Sequence, residues 1–306
     1  MSRQQPIRIG TRESALALYQ AQEVQHLLHS KGLATEIVEI ISDGDIDLHT
    51  PLYEMGIQGI FTKSLDVALL QNKIDIAVHS AKDIPTKLAN GLVIGALLKR
   101  GTTTDCLVLP SGKNNFDPAG VEKIASSSLR RRSQWLHRYP HHEMDNLRGN
   151  IQTRLNKLDA SDWSGAIFAQ TALERLNISS HHFITLDWML PAPAQGAMAV
   201  VCRANDSTML KACSSIHHNE TGICVNAERD FLAALQGGCA VPIAAKVVVQ
   251  NDQLLFKGNM FSLDGKQKSE VDRAFSLDQV SQAGILAAQE ILAAGGEAIR
   301  KTFRKA

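Results

Sequence analysis

Several broad classes are excluded by what this 306-residue chain lacks. No apolar run reaches the length that spans a bilayer. The opening residues, Met1-Ser2-Arg3-Gln4-Gln5-Pro6-Ile7-Arg8, hold no apolar stretch of signal-peptide type, so no export signal is expected. Cysteine is sparse: Cys106, Cys202, Cys213, Cys224 and Cys239 are odd in number and widely spaced, which predicts free thiols in a reduced, cytosolic protein. Net charge is nearly absent, with 32 Lys and Arg against 31 Asp and Glu, so nothing global selects a nucleic acid or a membrane. Aromatics are only 5%, and none interleave with the arginines as a single-strand RNA platform requires. No glycine-rich phosphate loop or dinucleotide fingerprint is present. The pairs His141-His142, His181-His182 and His217-His218, the last near Cys213, match no standard zinc spacing, so no metal is expected.

What is present is unevenly distributed. Arg130, Arg131, Arg132, Arg138, Arg148, Arg154 and Arg175 are 7 of the 16 arginines and fall within 46 residues, so an anion site is expected there. A chain of this length suggests two or three domains.

Ile7–Ile9 reads as a strand and Gly10–Ser14 as a turn. A helix with Ala17, Ala21, Val24 and Leu28 on one face follows, then a β-branched strand over 35–41. This βαβ order predicts a parallel sheet. Ser14 is placed to cap the helix, with Arg12 beside its N-terminus, either as an anion pocket or as a plain cap with a solvated arginine. Residues 42–59 show no periodicity and read as a lid loop. A helix over 61–71 leads into Ile74-Asp75-Ile76-Ala77-Val78-His79, an alternating strand pattern. It ends in Ser80-Ala81-Lys82-Asp83-Ile84-Pro85. Lys82 and Asp83 then stand side by side at the carboxyl end of a strand, either as a surface ion pair or as groups for proton transfer beside an anionic substrate.

A second domain starts near Arg100. Three of its strand-to-helix turns carry arginine: Ser126-Ser127-Ser128-Leu129-Arg130-Arg131-Arg132, Leu147-Arg148-Gly149-Asn150 with Arg154, and Gln170–Arg175. On a parallel sheet these turns share one rim, where guanidinium forks and helix N-termini suit carboxylates or phosphates. Arg132 and Arg138 are read as solvated, because a helix cannot aim successive residues at one site. Leu190-Pro191-Ala192-Pro193-Ala194-Gln195-Gly196 is a second linker, after which the strand 198–202 returns to the first domain. The rest reads as a small α+β domain in which Cys239 follows Gly237-Gly238. A cysteine at such a place is either a buried small hydrophobe or a thiol with room for an attached group. The resulting boundaries are 1–99 with 197–217 for lobe 1, 100–196 for lobe 2, and 218–306 for the third domain.

Four of these segments together resemble the porphobilinogen deaminase (hydroxymethylbilane synthase) family. They are Val78-His79-Ser80-Ala81-Lys82-Asp83-Ile84-Pro85, Ser127-Ser128-Leu129-Arg130-Arg131, Leu147-Arg148-Gly149-Asn150 with Arg154, and Gly237-Gly238-Cys239-Ala240-Val241-Pro242-Ile243. The resemblance runs from Ile7 to the end and keeps motif order. It implies an α/β fold of two periplasmic-binding-protein-like lobes around a hinged cleft, plus a small α+β C-terminal domain. It also implies a cytoplasmic, monomeric transferase of tetrapyrrole (haem) biosynthesis, which condenses four porphobilinogen molecules head to tail with loss of ammonia.

By the same resemblance Cys239 carries a dipyrromethane cofactor through a thioether, and Asp83 is the catalytic carboxylate, also facing the cofactor. Lys82, Ser128, Arg130, Arg131 and Arg154 match cofactor ligands. Arg12, Ser14, Phe61, Arg148, Arg154, Arg175 and Gln195 match substrate-binding positions. Departures lie in the lid, where Ile57-Gln58-Gly59-Ile60-Phe61 replaces a common Gly-Lys-Gly before the Phe, and at Ser64 and Ala15. The rival reading is a non-catalytic, two-lobed protein that binds a polycarboxylate or oxyanion. It explains the arginines but has no use for Asp83 or Cys239.

Overall fold

A computed structural model describes residues 5–41, 62–236 and 241–303. The expected lid, Phe61 and Cys239 therefore lie outside the described residues. Packing divides the chain into two units. One holds the described residues up to Gly101 together with Gly196–Gly222; the other holds Thr102–Gln195 and the described residues from Ile223 onward.

The first unit opens with β1 (Ile7–Thr11), α1 (Ala15–Ser30) and β2 (Thr35–Glu39). Ser14 caps α1, its hydroxyl accepting from the Ala17 N–H. Ala21, Val24 and Leu28, spaced by three and four, are fully buried on the inner face of α1. Next come α2 (Lys63–Leu70), with Leu65, Ala68 and Leu69 inward, then β3 (Ile76–Ser80) and β4 (Leu92–Leu97). The chain crosses into the second unit at β5 (Asp105–Val108). There it forms β6 (Lys123–Ala125), α3 (Leu129–Arg138), β7 (Glu143–Asp145), α4 (Ile151–Asp159), β8 (Gly165–Ala169), α5 (Gln170–Arg175) and β9 (Phe183–Thr185). It returns as β10 (Met198–Arg203) and α6 (Ser207–Ser214).

The two five-stranded sheets repeat one topology. The first runs β2-β1-β3-β10-β4 and the second β7-β6-β8-β5-β9. In each, four strands are parallel, and the strand that enters from the other unit is the single antiparallel member. The parallel pairing expected from the βαβ order is found, and the crossing strands β5 and β10 are its antiparallel exceptions. The strand read from the alternation at 74–79 is found as β3, but its alternation does not separate a buried face from an exposed one. Ile76, Ala77, Val78 and His79 are all buried, because β3 is interior in the sheet and is covered on both faces, as parallel strands are.

The C-terminal part contains α7 (Asn219–Ala234), the antiparallel strands β11 (Ile243–Gln250), β12 (Gln253–Phe261) and β13 (Lys268–Ser276), then α8 (Val280–Ile291) and α9 (Glu297–Phe303). Sequence periodicity missed β9 and α9, which are short. Phe231, Phe256 and Phe275 centre this core, with Phe231 and Phe256 rings 5.1 Å apart. Glu228 is buried at its edge and accepts from the backbone N–H of Ala194 at 2.6 Å and of Val247 at 2.7 Å. It thus ties α7 both to the return linker and to β11.

Helices α7 and α8 meet at Gly284. A methyl there would lie 2.2 Å from the Ala227 carbonyl oxygen and 2.8 Å from the Phe231 nitrogen. Gly284→Ala is therefore expected to destabilise by roughly 2–3 kcal/mol despite its better helix propensity. Thermal or denaturant unfolding checks this; an unchanged midpoint would show that α8 can move away freely.

Candidate active site

In the first unit, β1 and β3 are parallel neighbours, so Arg12 and the segment Ser80–Asp83 leave the sheet at the same edge. Lys82 and Asp83 lie in a 3₁₀ turn, Ala81–Asp83, closed by the Ile84 N–H on the Ala81 carbonyl. The turn is anchored by the Ala81 N–H on the Ala197 carbonyl at 3.0 Å, and Pro85 prevents its extension into a helix. Both side chains are half-buried. Ser80 exchanges hydrogen bonds with buried Gln20 of α1, at 2.9 and 3.3 Å, fixing the strand end that precedes them.

Behind this edge sits His79. Burial, then the charge of Arg12, push its imidazole from 6.5 down to about 4, and its buried Nε2 has no hydrogen-bond partner. The ring is therefore neutral at ordinary pH. Asp66 on α2 is its counterpart: burial raises its carboxyl to about 6, against a hydrogen bond from Thr62, and its Oδ1 is also buried without a partner.

In the second unit β6, β7 and β8 are parallel, so their carboxyl ends share one edge, as the arginine-bearing turns predicted. The Ser127 hydroxyl links two of these turns, donating to the Leu147 carbonyl at 2.9 Å and accepting from its N–H at 2.8 Å. Ser128 caps α3, accepting from the Arg131 N–H, and Asn150 caps α4, accepting from the Thr153 N–H at 2.9 Å. Gly149 sits at φ +113°, which a side chain would strain, and its Cβ would also strike Thr153. That glycine lets the chain turn from Arg148 into α4.

The arginines fall into two groups. Arg130 and Arg131 are buried around one carboxylate, Asp105, which is fully buried at the start of β5. Arg130 Nη2 is 2.8 Å from Asp105 Oδ2, and its Nη1 donates to the Leu190 carbonyl at 2.8 Å. Arg131 donates to Asp105 Oδ1 from Nη2 at 2.7 Å and Nε at 3.2 Å, and from Nη1 to the Ile167 carbonyl at 2.9 Å. Gln195 joins them, its Nε2 donating to Asp105 Oδ1 at 2.9 Å and to the Thr103 carbonyl at 2.7 Å.

The second group is Arg148, Arg154 and Arg175. Arg148 is buried at the β7–α4 turn, and half-buried Arg154 donates from Nε to the Gly149 carbonyl at 2.7 Å. Arg175 ends α5, about 7 Å along the helix axis from the rim, but helix side chains point back toward the N-terminus. Exposed Arg138 lies over the Trp188 ring at 4.8 Å, consistent with its reading as a surface residue.

Sequence reasoning missed Asp105. Its signal was present: one carboxylate opens an otherwise apolar run, Asp105-Cys106-Leu107-Val108-Leu109. Within residues 102–195 three arginines, Arg130, Arg131 and Arg148, are buried, and Asp105 is the one buried carboxylate. Buried cations in excess of buried anions form a donor set suited to a ligand with several carboxylates.

Comparison with known proteins gives matches in both units. Residues 7–211 match the family described as "Porphobilinogen deaminase, dipyromethane cofactor binding domain", and residues 222–293 match "Porphobilinogen deaminase, C-terminal domain". The chain is 41% identical over 301 residues to the chloroplastic porphobilinogen deaminase of Oryza sativa subsp. japonica, covering 95% of this chain and 84% of that protein. It is 37% identical over 297 residues to the porphobilinogen deaminase of Syntrophotalea carbinolica, covering 96% and 94%. Among solved structures, an arginine 3rd transport system periplasmic binding protein from Legionella pneumophila gives a TM-score of 0.42 at 11% identity, over 70% of this chain and 92% of that one. That likeness is too slight to carry an argument.

The pH response of the first unit follows from its two orphaned groups. His79 is depressed, so the unfolded chain binds its proton first, and stability falls as pH drops from 6.5 toward 4, by about 3 kcal/mol in all. Asp66 is raised, so its contribution has the opposite sign, and stability falls as pH rises from 3.8 through 6. Asp66→Asn is expected to raise stability near pH 7 and to uncover the acid-side loss due to His79. Unfolding midpoints measured from pH 4 to 8 check this; a parallel pair of profiles for variant and wild type would refute it.

Proposed function

The chain belongs to the porphobilinogen deaminase family, and on that premise we propose that Asp83 is its catalytic carboxylate and Cys239 its point of cofactor attachment. The activity is that of a transferase: four porphobilinogen molecules are condensed head to tail, with release of ammonia, to give hydroxymethylbilane for tetrapyrrole synthesis. The family matches favour this activity over a binding protein without catalysis.

The observation that carries the residue-level reading is the excess of buried guanidinium in the second unit. Each pyrrole unit brings two carboxylates, so negative charge accumulates as the product grows. Arginine stays protonated when buried and binds carboxylate in a bidentate way, which lysine does not. Arg130, Arg131 and Arg154, with Ser128 at the α3 N-terminus and Lys82, would hold the dipyrromethane. When bound, that group supplies the pyrrole carbon to which the first substrate is joined. Arg12, Arg148 and Arg175 would hold the substrate's carboxylates, with Ser14, Gln195 and Phe61 at its binding positions.

Asp83 suits both halves of the chemistry. Protonated, it gives a proton to the departing amine; ionised, it holds the positive charge that develops on the pyrrole nitrogens. Its 3₁₀ turn is anchored by backbone hydrogen bonds, so the carboxylate is presented from a rigid support. Lys82 beside it favours carboxylates in the same region. Ser14 keeps a hydroxyl at the start of α1, where backbone N–H groups favour an anion. The same reading includes a thioether at Cys239, a monomeric and cytoplasmic protein, and division at 1–99 with 197–217, 100–196 and 218–306. No helix among the described residues is long and apolar enough to cross a membrane.

Intact mass spectrometry tests the attachment. Active protein is expected to carry a mass excess equal to a dipyrromethane, absent in Cys239→Ser; an unmodified mass in active protein would remove the covalent cofactor. Asp83→Asn is expected to keep the fold and mass excess while losing roughly 100-fold or more in kcat. Near-normal turnover in a loaded Asp83→Asn would remove it from the mechanism. Arg148→Leu and Arg175→Leu are expected to raise KM or stall elongation, read as accumulated partial products by mass; unchanged kinetics in both would make those arginines solvated surface.

A further inference from the structure

We propose that Asp105, which no ligand can reach, is the positioning residue of the anion-binding rim: its carboxylate aims the guanidiniums of Arg130 and Arg131 and couples them to the return segment at Gln195. The proposal rests on the reading of Arg130 and Arg131 as carboxylate ligands.

Three observations support it. Asp105 is fully buried, and both its oxygens are occupied by side chains of this chain: Oδ2 by Arg130, Oδ1 by Arg131 and Gln195. It therefore acts only through other residues. Next, Arg130 and Arg131 are adjacent cations in the first turn of α3, where the helix dipole is itself unfavourable to positive charge. Burial, opposed by the charge of Asp105 and reinforced by that of Arg131, pulls the Arg130 guanidinium below its ordinary value. Without a shared carboxylate two such groups would turn apart toward solvent. Finally, Gln195 spans from Asp105 to the Thr103 carbonyl, so one carboxylate joins α3 to both segments at which the chain passes between its units.

The charge count gives the site its use. Two guanidiniums against one carboxylate leave one positive charge, so Asp105 holds the pair in place without neutralising it. Each guanidinium has five N–H groups, and the fork of Arg131 commits three nitrogens to Asp105 and Ile167 while retaining two further N–H donors. A ligand carboxylate would thus meet cations already ordered, and the entropy of fixing two long side chains would not be lost on binding.

Asp105→Glu in the full-length protein tests this, because it keeps the charge and displaces the carboxylate by one methylene. The variant is expected to fold, with a melting temperature close to wild type, but to load its cofactor less completely, so that the fraction of molecules with the dipyrromethane mass excess falls roughly threefold or more. A purely structural residue would lower the melting temperature and leave that fraction alone. A folded Asp105→Glu loaded as fully as wild type would overturn the proposal. If Asp105→Glu does not fold, Asp105→Asn/Arg131→Gln removes one charge of each sign and is compared with Arg131→Gln. Less complete loading in the double variant than in Arg131→Gln, read from the mass excess, supports the proposal, and equal loading overturns it. Wild-type protein with neither a mass excess nor turnover of porphobilinogen would instead defeat the proposed function, and this proposal with it.

Discussion

A carboxylate shut away from water has to be matched, and Asp105 is matched twice over. Removing one partner from such a buried ionic cluster typically costs about 3–5 kcal/mol, because the remaining charge is left unpaired. The cluster spans parts of the chain distant in sequence: β5, the start of α3, the carbonyl of Ile167 on β8 and the return segment at Gln195. These parts meet on the second sheet, whose strands β5 and β8 pair directly. Its rim, in turn, owes its charge to the fact that the cluster is unbalanced by one guanidinium.

The repeated topology explains why the candidate side chains stand where they do. Each sheet has four parallel strands, and their carboxyl ends release the chain at one edge. In the first unit that edge carries Arg12, Ser14, Lys82 and Asp83; in the second it carries Ser128, Arg130, Arg131, Arg148 and Arg154. The antiparallel crossing strands β5 and β10 cost the sheets their uniform direction but join the units covalently twice. Asp105 and Gln195 stand at the two crossings, and Glu228 holds Ala194, whose φ of +64° is uncommon for a residue with a side chain. The strained return linker is thus fixed from both sides by buried carboxylates.

Polar burial takes a different form in the first unit. His79 and Asp66 each retain a buried atom without a partner, and their ionisation costs oppose one another across the acid range. An orphaned polar atom is unfavourable wherever it lies, and such groups concentrate where chemistry is done. His79 immediately precedes the segment that bears Lys82 and Asp83, and in the second unit Arg130 Nε is likewise buried without a hydrogen-bond partner although its guanidinium is paired with Asp105.

Local features were legible in the sequence. The 3.6-residue spacing in α1 and the cap at Ser14 are each decided by neighbours a few residues away. The motifs around Lys82-Asp83, Arg130-Arg131 and Arg148 also pointed to the family and to a polycarboxylate chemistry. The tertiary structure alone decided which polar residues are buried. His79 reads as the polar face of a strand until the sheet is covered on both sides. Gln195 reads only as a hinge residue until its amide is found on Asp105, 90 residues away in sequence. Asp105 itself reads as an ordinary strand residue. Its role depends on desolvation and on side-chain partners from two distant segments, α3 and the return segment at Gln195, and neither has a period that a linear pattern can carry.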